Sequence, residues 1–194
     1  MDSQRRPSAV YRSTRAGTAW CSVVGSVLLA ACQGAPRPAL QTVAHVDLPR
    51  FMGAWYVIAS IPTFIERGAH NAVESYELDQ RGRVRTTFQF NAGSFNGPLR
   101  VHHPIGYVSP DGGGALWGMQ FIWPFRADYR IVYLDPEYTQ TVIGRERRDY
   151  VWIMARTPTI PDADYARLLE LLRAQGYSLS RLQKVPQQPL TDRR

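Results

Sequence analysis

The sequence predicts an all-β fold, an eight-stranded antiparallel up-and-down barrel with one C-terminal α-helix packed on it. Three observations predict it. From about Val46 to Arg156 the chain reads as short segments of alternating side chains separated by turn residues. There are eight such segments, joined as successive hairpins, and eight strands close a barrel just wide enough for one small ligand. Beyond Pro161 the apolar period lengthens from that of a strand to that of a helix.

The first strand, Trp55–Ile61, is opened by Gly53. In strand geometry Gly53, Trp55, Val57, Ala59 and Ile61 share one face. A long loop, 62–71, leads to the second strand, Ala72–Leu78, and Asp79-Gln80-Arg81-Gly82 forms the next turn. In the third strand, Arg83–Asn91, Val84, Thr86, Phe88 and Phe90 alternate with Arg85, Thr87 and Gln89. The fourth, Leu99–Val108, is disturbed by Pro104. The fifth, Ala115–Trp123, sets Trp117, Met119, Phe121 and Trp123 on one face. The sixth, Tyr129–Leu134, alternates Tyr129, Ile131 and Tyr133 with Arg130, Val132 and Leu134. Tyr138–Ile143 and Tyr150–Arg156 complete the eight. Pro161 then stands at a helix start, Asp162 and Asp164 suit the N-terminal dipole and Arg173 the C-terminal one. Leu168, Leu169, Leu171 and Leu172 give an apolar face and Gly176 a stop, so Asp162–Gln175 is one helix. Leu179–Val185 adds a short final strand, and 187–194 reads as a disordered tail.

The chain has 194 residues and a formal net charge of +7. Arg5, Arg6, Arg12 and Arg15 against Asp2 place +3 of that within residues 1–31. The remaining arginines are scattered, and no basic run resembles a nucleic-acid face. The two cysteines, Cys21 and Cys32, lie near the N-terminus, so the body has neither disulfide nor thiol nucleophile. Residues 1–15 are polar and arginine-bearing, and Ala16–Ala31 is apolar, small and uncharged. These are the two regions of a secretory signal, too short for a comfortable membrane span. The signal ends in Leu28-Leu29-Ala30-Ala31-Cys32, which resembles the lipobox of bacterial lipoproteins. That resemblance makes 1–31 a signal peptide and Cys32 the lipid anchor. Gln33, where Asp would favour inner-membrane retention, implies the outer membrane. Residues 32–45, with Pro36 and Pro38, read as a flexible tether.

Three motifs fall in order along the body: Gly53-Ala54-Trp55 on the first strand, Leu134-Asp135-Pro136-Glu137-Tyr138 between the sixth and seventh, and Trp152-Ile153-Met154-Ala155-Arg156 ending the eighth. With the helix that follows, they resemble the lipocalins. The stretch from Asp149 to Ile160 is similar to bacterial outer-membrane lipocalins related to apolipoprotein D. The resemblance covers about 46–186. It implies that Arg156 packs over Trp55 at a closed end, with Gly53, as a structural group. It also implies a hydrophobic or amphiphilic ligand, of the fatty-acid or lysophospholipid class, held in the barrel for storage or transport in the cell envelope. The anchored protein is then expected at the outer membrane, on its periplasmic side, and a homodimer stays open.

Strand parity turns Glu74, Tyr76, Phe88, Phe90, Met119, Phe121, Tyr129, Tyr133 and Trp152 inward as ligand-lining candidates. Leu78 has the same parity. Some of these must fill a solid core at the closed end, and the rest would line an apolar cup. Glu74 is the exception in kind, because an inward carboxylate needs a partner or water. Phe64 and Ile65 sit in the long loop over the mouth. His102-His103 lacks the further spaced ligands a metal needs. Neither a Gly-x-Ser-x-Gly elbow nor a phosphate loop occurs, and Gly112-Gly113-Gly114 precedes no helix, so neither a cofactor nor catalysis is expected. Two other classes remain as alternatives: an enzyme using Glu74 as acid and base on a bound lipid, and a solid-cored envelope scaffold.

Overall fold

The computed structural model describes residues 37–189. The chain divides into two units, Met1–Arg37 and Pro38–Arg194, and the second holds the fold described here. The expected signal peptide, 1–31, and the expected lipid anchor, Cys32, lie outside the described residues, as do residues 190–194.

The strands are β1 (Gly53–Ile61), β2 (Ala69–Leu78), β3 (Arg83–Ala92), β4 (Leu99–His102), β5 (Ile105–Val108), β6 (Leu116–Ile122), β7 (Phe125–Leu134), β8 (Gln140–Gly144), β9 (Val151–Ala155) and β10 (Gln183–Lys184). The helices are α1 (Leu48–Phe51) and α2 (Asp162–Ala174). Antiparallel pairing runs β1-β2-β3-β5-β6-β7-β8-β9 and returns from β9 to β1, closing an eight-stranded barrel. The fourth strand is the one broken by Pro104. Its first half, β4, pairs only with β3, and its second half, β5, bridges β3 and β6. Helix α2 starts at Asp162 as expected, with Pro161 as N-cap rather than first helical residue, and ends one residue early at Ala174, where Gly176 (φ +82°) lets the chain turn back.

Two apolar clusters follow from the alternation. One fills the closed half of the barrel, with Trp55, Tyr76, Trp117, Tyr129, Ile131 and Met154. The other lies between the barrel wall and α2, with Ile58, Ile61, Val132, Ile153, Leu168 and Leu172. Two β-bulges correct the parity read from sequence. A register shift between Val57 and Ala59 leaves Trp55 and Val57 inside and sends Ala59 and Ile61 to the helix side. A second, between Ile131 and Tyr133, puts Tyr133 on the helix side, where its hydroxyl accepts from Arg167 at 2.7 Å. Tyr133 is therefore not a cavity residue. Leu78, the last residue of β2 at the closed end, is exposed.

The chain from Pro38 to Ala44 is not a free tether. The Pro38 carbonyl accepts from Arg148, the Leu40 N–H donates to Glu146, and Val43 N–H donates to Ile131 O. Leu40 is buried against the helix-side cluster. At the other end, Gln187 donates to the Val57 and Ala72 carbonyls and Gln188 exchanges hydrogen bonds with Asn71, so the expected tail is fixed at those two residues.

A lipid-sized cavity opposite an aromatic floor

The closed end is built around Trp55. Helix α1, absent from the sequence reading, drops Phe51 into the barrel beside the indole, ring centroids 5.0 Å apart, and the Phe51 carbonyl accepts from the indole N–H at 2.8 Å. Arg156 lies across the outer face of the indole at 3.8 Å. Its guanidinium donates to the carbonyls of Arg50, Phe51, Ala54 and Tyr138, so α1, β1 and the turn after β7 are tied by one side chain. Gly53 has φ +91°, and a Cβ there would stand 3.3 Å from Arg156 Nη1. Gly53→Ala is expected to cost about 1–3 kcal/mol through backbone strain alone, read as a lower urea midpoint at unchanged slope. Inward of Trp55, Tyr76, Trp117 and Tyr129 complete the floor, with Trp117 stacked on Tyr129 at 5.1 Å.

Above this floor lies a cavity of about 460 Å³, in the range of small-molecule sites. It opens where the wall divides. Beyond Pro104 the ladder between β4 and β6 is absent, and His102, His103, Phe121 and Ile122 line the gap. Phe64 and Ile65, from the loop between β1 and β2, lie across the mouth.

Five of the nine residues expected on the wall are there: Glu74, Met119, Phe121, Tyr129 and Trp152. Phe121 stands half-exposed at the rim. Tyr76, Phe88 and Phe90 point inward and are buried but do not face the cavity. Phe88 and Phe90 pack on each other and on His102, and Tyr76 belongs to the floor. Tyr133 is outside, as the bulge requires.

Glu74 is the register partner of Trp55 on the neighbouring strand, which sets its carboxyl on the floor. It accepts from the Tyr76 hydroxyl, which lies 2.7 Å from the Tyr129 hydroxyl. Burial pushes the Glu74 carboxyl up to about 7; the Tyr76 hydrogen bond opposes the rise, and the charge of Glu66 adds to it. Burial likewise drives both tyrosines well above their ordinary range. Glu66, missed in the sequence, is a second cavity carboxylate. It accepts from Thr63 Oγ1 at 2.7 Å and from the Trp152 indole N–H at 2.8 Å, and its pKa is raised, again by burial first. The signal that could have found it is Thr63-Phe64-Ile65-Glu66, whose spacing lets a hydroxyl and a carboxylate meet across one turn. Glu66 and Glu74 are held by neutral donors, whereas Asp128, a third carboxylate on the wall, is paired with Arg130 at 2.9 Å. Arg145 also lines the cavity, and its guanidinium is occupied with Asp149 at 3.5 Å and the face of Tyr150. Among the described residues no group of three or more His, Cys, Asp or Glu is placed to hold a metal.

A closed antiparallel barrel, plugged at one end and hollow at the other, defines a calyx protein. The lipocalin-like domain model matches residues 46–187, and the chain belongs to the lipocalin family. It is 30% identical over 157 residues to temperature-induced lipocalin-1 of Arabidopsis thaliana, covering 76% of this chain and 83% of that one. It is 30% identical over 164 residues to the outer membrane lipoprotein Blc of Escherichia coli, covering 82% and 90%. Bovine apolipoprotein D is 25% identical over 160 residues, covering 76% and 79%. Among solved structures, insecticyanin of Manduca sexta superposes with a TM-score of 0.62 at 15% identity, covering 77% of this chain and 85% of that one.

Proposed function

We propose that this lipocalin carries a single-chain amphiphile, of the fatty-acid or lysophospholipid class, in the cell envelope. It would be held at the periplasmic side of the outer membrane by acylation of Cys32. One observation carries the reading: an apolar-walled cavity of about 460 Å³ that opens at the barrel end opposite Trp55. The relatives named as outer membrane lipoproteins support the location. Burial of the acyl chain drives binding, at about 25 cal/mol per Å² of apolar surface removed from water. The polarity of the cavity sets the orientation. Among the described residues Glu66 and Glu74 are held by the neutral donors Thr63, Trp152 and Tyr76 and by no ion pair, so an anionic head is disfavoured at the floor. The tail descends towards Met119 and Tyr129, and the head stays at the mouth near His102, His103 and Arg145.

Native mass spectrometry of the protein without detergent tests this. A co-purifying lipid, or uptake of one palmitate per barrel, is expected. An empty barrel that takes up no fatty acid or lysophospholipid would favour the scaffold reading. Titration should also quench or shift Trp152 emission, and Trp152→Phe should remove that signal.

A second reading draws on Glu74, whose carboxyl titrates near neutrality beside Tyr76 and Tyr129. It is acid–base turnover of a bound lipid. Lipid turnover abolished in Glu74→Gln, with lipid affinity retained, would favour it over carriage. The body has no cysteine, so a thiol route is closed.

A further inference from the structure

The largest departure from ordinary surface chemistry surrounds the cavity mouth. Phe64 is 78% exposed, Ile122 73%, Trp123 81% and Phe125 76%, with Phe121 half-exposed between them. They come from two turns, the loop after β1 and the hairpin joining β6 to β7. Phe64, Phe121 and Ile122 line the same opening, so the turns belong to one rim. Apolar side chains of this size in water mark a surface that is covered in use.

Charge identifies the cover. The mouth-side segments 62–68, 93–104, 121–127 and 145–150 hold six arginines against three carboxylates. Of those carboxylates, Glu66 is buried, and Glu146 and Asp149 are paired with arginines. Arg67, Arg100, Arg126 and Arg147 are exposed there, the Arg126 guanidinium resting on the face of Tyr107 at 3.5 Å and Arg147 reaching Asp149 at 3.8 Å. The hairpin turns at the plugged end, 79–82, 109–115 and 135–139, have the opposite sign, with Asp79, Asp111, Asp135 and Glu137 against Arg81 alone. The mouth is thus cationic and apolar, whereas at the plugged end the turn carboxylates stand beside Arg50, Arg83 and Arg156.

The path of the N-terminal segment agrees. Pro38 and Leu40 are fixed to Arg148 and Glu146, in the loop between β8 and β9 at the mouth end, and Val46 is fixed to Gly113 at the plugged end. The chain therefore enters the body at the mouth end. Resting on the acylation of Cys32 proposed above, the residues between Cys32 and Pro38 span at most about 20 Å.

We propose that the rim formed by Phe64, Ile122, Trp123 and Phe125, flanked by Arg67, Arg100 and Arg126, docks the open mouth on an anionic lipid bilayer. The apolar tips enter the acyl boundary and the guanidinium groups meet lipid phosphates. Docking brings the cavity opening against the membrane, so an amphiphile passes between bilayer and barrel without crossing water.

The test uses the full chain with vesicles whose acyl chains carry bromine, which quenches tryptophan on contact. The wild type and Trp123→Phe are compared on anionic and on zwitterionic vesicles. The expected result is quenching of the wild type on anionic vesicles, most of it lost in Trp123→Phe, weakening as salt is raised. Replacing Arg100 or Arg126 by Gln should lower vesicle affinity about fivefold each in a Cys32→Ser background, where no acyl anchor masks the loss. Equal quenching of the wild type and Trp123→Phe would overturn the proposal. Equal quenching on zwitterionic vesicles would overturn its assignment to anionic lipid. A dimer in sedimentation that dissociates in a Trp123→Ser, Phe125→Ser variant would also overturn it, giving the rim to a second copy. Acylation of Cys32 is read separately from the intact mass, and lipid uptake without vesicles tests the carrier function alone, so each can fail independently.

Discussion

Trp55→Ala is expected to lower the unfolding free energy by about 3–5 kcal/mol, the range for deleting a large buried aromatic side chain. Against the ~5–15 kcal/mol that holds a typical domain together, that is a large fraction of the total. The site cannot collapse around the lost ring. Phe51 approaches from α1, Tyr76 and Trp117 pack behind Phe51, and Arg156 covers the outer face. Arg156 is fastened by its own hydrogen bonds to four carbonyls on three segments, so it would stay in place over a void. The substitution also removes the indole N–H from the Phe51 carbonyl. Urea unfolding of Trp55→Ala should therefore show a strongly lowered midpoint with little change of slope. Fatty-acid affinity, measured on the folded fraction, should remain close to wild type, because Trp55 does not line the cavity. Lost affinity at retained stability would move the ligand site to this end of the barrel.

Much of this architecture was legible because it depends on local pattern. Val84, Thr86, Phe88 and Phe90 face inward as their alternation requires, and Asp162–Ala174 is helical where the apolar period lengthens. What escaped depends on partners distant in sequence. A β-bulge adds one residue against a neighbouring strand, and neither Ile58 nor Val132 differs in composition from a regular strand residue. Tyr133 was assigned to the cavity for that reason. Helix α1 is one turn, too short for a period, and only Asp47 before Leu48-Pro49 signals it, the Asp47 carboxylate accepting from the Arg50 N–H. Phe88 and Phe90 were given the correct face but the wrong depth. Parity says which side a residue faces, whereas its distance from the mouth depends on how far His102 and Phe51 fill the barrel. The packing of Pro38–Ala44 rests on side chains more than a hundred residues away, Glu146 and Arg148.

Glu74 gives the barrel a pH dependence that Glu74→Gln should remove. Unfolded, the carboxyl titrates near 4.5; folded, burial raises it to about 7. Between those values the folded state binds the proton that the unfolded state has released. Stability from this group is thus complete below pH 4.5 and declines as pH rises to about 7. The full decline is on the order of 3 kcal/mol, at 1.36 kcal/mol per unit of displacement. Glutamine keeps the shape and an oxygen to accept from Tyr76, and carries no charge at any pH. Wild type and Glu74→Gln should therefore unfold alike at pH 4.5, and the variant should be the more stable at pH 8. Glu66 is raised in the same direction and remains in both proteins, so the difference between the two curves reports Glu74 together with its repulsion from Glu66. Ligand binding should follow the same titration. An acyl chain that covers Glu74 removes its remaining water, so the ionised form opposes binding more than the neutral one. Affinity for lysophospholipid, whose own charge is constant over this range, should fall between pH 6 and 8 in the wild type and stay level in Glu74→Gln. A wild-type affinity that does not change across that interval would place the bound chain away from the floor, above Glu74, in the outer half of the cavity between Phe121 and Trp152.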